Sequence, residues 1–137
     1  AGTGMILSTD IDLSSFGPWY ANEESDMEKF KESIRSVKKR RPTCVVTSHM
    51  GVIRQGIEEK LDRFLGIFDQ RDARIIASLG TPRSIEELVD LALIYRKYPN
   101  HFRLLRGWET TMLYKHLERL ARLGLVKREN EKFINVL

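Results

Sequence analysis

The chain has 137 residues, a formal charge of +4, one cysteine and three histidines. That length holds one ordinary domain or two very small ones. Its 42% apolar and 31% charged residues exclude a disordered polymer, and no stretch nears the ~18 apolar residues of a membrane span. The lone Cys44 excludes an internal disulfide framework and fits a reducing cytoplasm. The start, Ala1-Gly2-Thr3-Gly4, lacks the basic and apolar regions of a secretion signal. His49, His101 and His116 are too few and too scattered for a His-rich metal centre built within this chain alone.

Met5 to Thr9 reads as a short buried strand ending at Asp10. Residues 10–22 form a loop, because Gly17-Pro18 forbids a regular element. Ser25-x-x-Glu28 reads as a capping box. Met27, Phe30, Ile34 and Val37 then recur at helical spacing to about Arg40. Thr43 to Thr47 is a second strand, followed by a loop at Ser48-His49-Met50-Gly51. Ile57, Leu61, Phe64, Leu65 and Phe68 mark a second amphipathic helix. The first half is thus an α/β pattern.

The second half changes character after a boundary near 69–72. Ala73 to Leu79 reads as a short helix stopped by Gly80-Thr81-Pro82. Ser84-x-x-Glu87 is another capping box, opening a helix through Leu88, Leu91 and Ala92. Tyr98-Pro99-Asn100 breaks the chain. A longer helix is expected from about Trp108 to Leu123, with Met112, Leu113, Leu117, Leu120 and Leu123 inward and Gly124 after its end. Leu125–Arg128 and Lys132–Val136 flank Glu129-Asn130-Glu131, a hairpin signature. His116 is expected to be partly buried, Trp108 to serve the core, and His101 has no evident partner.

Charge is unevenly spread. Residues 1–70 carry 10 Lys/Arg against 11 Asp/Glu, and residues 71–137 carry 13 against 8. The run Lys38-Lys39-Arg40-Arg41 reads as a helix end whose cations complement the dipole. Three helices and a hairpin follow the order of a winged helix-turn-helix. The run Leu117 to Arg128 resembles a recognition helix passing into a wing. Lys115, Arg119, Arg122, Lys127 and Arg128 are the candidate nucleic-acid contacts. Against that reading, Glu109 and Glu118 on the helix and Glu129 and Glu131 at the hairpin tip would repel phosphates. A packing or dimerisation element is therefore favoured over a sequence-specific DNA reader.

Asp10 and His49 each stand at the carboxyl end of a strand, where ligands gather in α/β folds. A carboxylate and an imidazole together suit a borderline metal such as zinc. The wider pattern sharpens this: Ser8-Thr9-Asp10, Phe16-Gly17-Pro18-Trp19-Tyr20, a helix, then Val45-Val46-Thr47-Ser48-His49. It resembles the carboxyl-terminal half of the metallo-β-lactamase fold, an αββα sandwich, here followed by a winged helix. The resemblance implies that Asp10 bridges two zinc or iron ions and that His49 ligates one. Asp12 is the weaker candidate for the place of Asp10. Trp19 and Tyr20 are pocket candidates, with core packing as the competing role for each.

The departure from that family is large. Its His-x-His-x-Asp-His motif is absent, as is the further histidine that precedes the bridging aspartate. Two ligands remain, whereas a catalytic zinc site has three and a water. The expectation is a fragment of a metal-dependent hydrolase. Residues 1–70 would be half of its catalytic domain and 71–137 a winged-helix domain. The chain alone is expected to be inactive. Its partner would be the upstream half of the same protein or a second chain, with a homo-oligomer also open. The winged-helix part would shape the substrate entrance or a dimer interface.

Overall fold

A computed structural model describes residues 4–100 and 103–137, so His101 lies outside the described residues. The chain divides into two compact units: Ala1–Tyr20 with Ser25–Asp69, and Ala21–Glu24 with Gln70–Leu137.

In the first unit, strands β1 (Met5–Ser8), β2 (Cys44–Thr47) and β3 (Gly51–Ile53) form one sheet in that order. β1 and β2 are parallel, with Ser8 opposite Thr47. β2 and β3 are antiparallel, with Val45 opposite Ile53. Helix α1 (Met27–Lys39) makes the parallel crossover, which two parallel neighbours require. Helix α2 (Ile57–Ser78) follows β3.

Side chains alternate across a strand. Ser8, Val45 and Thr47 share a face and are buried, while on the other face Met5, Leu7 and Val52 are exposed and Cys44 is buried. The expected buried β1 is thus wrong for Met5 and Leu7. An apolar strand buries only the face that another layer covers, and apolarity alone does not say how many faces are covered.

The helices supply the core of this unit. Tyr20 stacks on Phe68 at a centroid distance of 5.3 Å. Phe30 meets Phe64 and Phe68 edge-on at 6.5 and 6.1 Å. Burying a side chain such as Phe64 or Phe68 contributes about 1.5–3 kcal/mol. Lys31 is also buried, its ammonium 5.5 Å from the Phe68 ring centroid and 3.8 Å from Asp69. The N-cap of α1 is Asp26, whose side chain accepts from the Lys29 N–H at 3.0 Å, rather than the expected Ser25. Aspartate caps as well as serine does, and starts the helix one residue later.

In the second unit, the end of α2 is joined by α3 (Ile85–Asp90), α4 (Arg103–Arg122) and a hairpin of β4 (Val126–Glu129) and β5 (Lys132–Asn135). The Ser84 capping box forms in both directions. Gly124 takes the left-handed conformation at φ +72°, which glycine adopts at little cost. The hairpin is pinned by Arg83–Phe133 backbone bonds of 2.8 and 2.9 Å and by the Asn135 N–H to Leu79 at 3.1 Å. Ile75, Leu79, Leu88, Met112, Leu113, Leu117 and Leu120 are buried, whereas Leu123, expected inward, lies just past the end of α4 and is 55% exposed.

Several boundaries differ from expectation. α2 is one helix where two were expected, because the polar run Asp69–Asp72 continues helically and its Arg71 and Asp72 are buried. α4 begins at Arg103, running through Gly107 rather than starting beyond it. Trp108 is 37% exposed instead of serving the core, while Glu109 is fully buried instead of facing solvent. β3 replaces part of an expected loop.

Candidate functional site

The parallel pairing of β1 and β2 sends two loops off the same end of the sheet. The first carries Asp10 and Asp12, and the second carries His49. An open cleft of about 400 Å³ lies there, lined by Asp10, Asp12, His49 and Trp19. Ser14, Phe16 and Gly17 complete its wall.

Both loops are held by local hydrogen bonds. The Ser8 hydroxyl donates to the Ile11 carbonyl at 2.5 Å. Asp12 Oδ1 accepts from the Ser14 N–H at 3.0 Å, an Asx-type turn around Leu13 at φ +58°. The Gly17 N–H reaches the Ser14 carbonyl at 3.2 Å. Gly17 itself has φ +92°, and a Cβ there would sit 2.6 Å from Ile67, so the Phe-Gly-Pro segment needs glycine at this position. On the other loop, Thr47 Oγ1 accepts from the Met50 N–H at 2.9 Å and donates to the Gly51 carbonyl at 3.2 Å.

The direct partner of His49 is Asp12. Asp12 Oδ2 lies 3.0 Å from His49 Nδ1. The histidine side chain is 75% exposed and the aspartate 15%. Asp10 lines the same cleft. The structure therefore brings Asp10, His49 and Trp19 to one place and adds Asp12, which sequence reasoning ranked second. The Asp-Ile-Asp alternation was the available signal, but it could not say which carboxylate the imidazole meets. Tyr20 is no pocket residue: it is fully buried against Phe68.

Carboxylate and imidazole suit zinc or iron. Among the described residues, however, no group of three or more His, Cys, Asp and Glu could hold a metal ion. A catalytic zinc keeps three protein ligands. The donor types fit, and their number does not complete a centre.

In the second unit, a different acid–imidazole pair is sealed in the core. His116 Nδ1 lies 2.6 Å from Asp72 Oδ1, and Arg119 donates to Asp72 Oδ2 at 2.5 Å. Burial holds the His116 imidazole below its ordinary value, against the opposing pull of Asp72. Glu109 accepts from the N–H groups of Ile94 and Tyr95 at 2.9 and 3.0 Å. Burial pushes its carboxyl up, opposed by those two bonds.

The candidate nucleic-acid cations are mostly engaged within the chain. Lys115 donates to the Glu23 carbonyl at 3.1 Å, and Arg119 is held by Asp72. Lys127 meets Glu129 at 2.7 Å, and Arg128 pairs with Glu131 while lying over the Phe133 ring. Arg122 is exposed. No described helix is long and apolar enough to cross a membrane.

No protein-family model matches the sequence, and no curated protein does. Among the solved structures with a similar fold are two bacterial proteins. A metallo-β-lactamase family protein from Thermus thermophilus aligns at a TM-score of 0.73 and 21% identity, over 96% of this chain and 42% of its own. A β-lactamase domain protein from Burkholderia ambifaria aligns at 0.71 and 18% identity, over 97% of this chain and 42% of its own. The chain thus spans less than half the length of either and has the fold of part of a metallo-β-lactamase family protein.

Proposed function

We propose that this chain is the carboxyl-terminal portion of a metal-dependent hydrolase, with Asp10 and His49 as its contribution to a two-metal centre of zinc or iron. The observation that carries this reading is their placement. They follow the ends of adjacent parallel strands and line one cleft. That placement occurs in a chain whose fold matches part of a metallo-β-lactamase family protein. A bound metal would supply an activated hydroxide for attack on an ester, thioester, lactam or phosphodiester. The residues of this chain would hold and orient the metals. The remaining ligands would come from a segment carrying His-x-His-x-Asp-His, in the same protein or in a second chain. The three-helix and hairpin unit is read as a winged helix serving packing or dimerisation. The pairing of Arg119, Lys127 and Arg128 with acids supports this over nucleic-acid binding.

The test joins or mixes the chain with such a segment and measures metal content and ester and thioester hydrolysis. Two bound metals and hydrolysis are expected, both lost in Asp10→Ala and His49→Ala. Full metal loading in those two variants would overturn the reading.

A further inference from the structure

We propose that Asp12 is a positioning residue that fixes His49 in a single tautomer, with the proton on Nδ1 and the ring's one lone pair on Nε2. The inference deepens the reading above, in which His49 is a ligand. A carboxylate offers only acceptors, so in the 3.0 Å contact between Asp12 Oδ2 and His49 Nδ1 the ring nitrogen is the donor. A neutral imidazole carries one proton, so Nε2 is left as the acceptor. This is how a carboxylate orients a ligating histidine from behind.

The anchoring of Asp12 supports the role. Its second oxygen is occupied by the Ser14 N–H, and the loop before it is tied by the Ser8 hydroxyl to Ile11. Its side chain is only 15% exposed, whereas that of His49 is 75% exposed. An exposed imidazole otherwise turns freely among rotamers. Here a fixed carboxylate on one loop sets its direction, and the Thr47 hydroxyl bonds fix the turn that carries it. Asp10 is thereby left available as the direct donor at the cleft.

The test reads the tautomer of His49 by long-range nitrogen–proton NMR in the 137-residue chain, at a pH where the imidazole is neutral. The wild-type ring is expected in the Nδ1–H form alone. Asp12→Ala is expected to release it to a mixture of both forms. Asp12→Asn, which keeps an acceptor oxygen in place, is expected to retain most of the Nδ1–H form. A wild-type mixture, or an unchanged ring in a folded Asp12→Ala chain, would overturn the proposal. The wild-type measurement decides even if a variant does not fold. Zinc alone, added to the wild-type chain, is expected to leave the Nδ1 proton in place. Its loss would make Asp12 and His49 joint ligands and refute the positioning role. In the completed centre, Asp12→Ala is expected to weaken metal affinity about 10- to 100-fold. A fixed tautomer in a protein that never binds metal would retain this inference and sink the hydrolase reading.

Discussion

Each unit holds an aspartate bonded to a histidine Nδ1, and the two pairs have opposite characters. Asp12–His49 spans 3.0 Å with an imidazole 75% exposed, while Asp72–His116 spans 2.6 Å with an imidazole fully buried. The chemistry of the pair is the same, and what differs is the surroundings. His49 keeps a ring nitrogen accessible at a cleft, whereas His116 is enclosed in a network with Asp72 and Arg119. An acid–imidazole pair is therefore evidence for a site only where solvent or substrate reaches it.

The largest expected effect tests the buried side of that contrast. Asp72 accepts from both His116 and Arg119, and Arg71 beside it in the chain is also buried. Removing one member of a buried charged network leaves the others uncompensated, which costs about 3–5 kcal/mol. Asp72→Ala is expected to lower unfolding stability in urea by that amount. A change below about 1 kcal/mol would show the network to be ornamental and erase the contrast.

The two pairs were not equally legible in the sequence. Local signals carried well: Met27 and Ile34 mark the buried face of α1, Ser84 and Glu87 form their box, and Gly124 ends its helix. These depend on spacing within a few residues. What failed depends on distant neighbours. Asp72 looked like part of a polar boundary and Glu109 like a surface acid, because their partners lie 44 and 15 residues away. Met5 and Leu7 looked buried because no spacing rule tells whether a second layer covers a strand. Asp10 and His49 were legible as strand-end residues, but the choice of Asp12 as partner depends on the Leu13 turn, which no motif announces.

A smaller effect appears on the pH axis. His116 faces Asp72, Arg71 and Arg119, and burial holds its folded pKa below the ordinary value near 6.5. The unfolded chain therefore takes up this proton first as pH falls. The contribution is fully present above about pH 6.5 and is lost as pH falls through the folded value. One proton sets a limit of about 1.4 kcal/mol per pH unit. The stability difference between the wild type and His116→Gln should shrink as pH is lowered from about 7.5 to about 5. Taking that difference removes the opposite trend of Glu109, whose raised pKa makes its contribution fade as pH rises. A constant difference would show that His116 does not titrate in this window.

The smallest expected effect falls on the exposed pair. Asp12→Ala removes one bond to the Ser14 N–H and one to an imidazole that stays in water. No buried charge is stranded, so the loss should be about 1 kcal/mol, the worth of an ordinary hydrogen bond. Unfolding in urea, beside Asp72→Ala, measures it directly. Comparable losses in the two variants would mean that Asp12 holds the fold rather than the ring. A small loss together with a released His49 tautomer would separate the roles: the buried aspartate maintains structure, and the cleft aspartate uses its hydrogen bond for orientation.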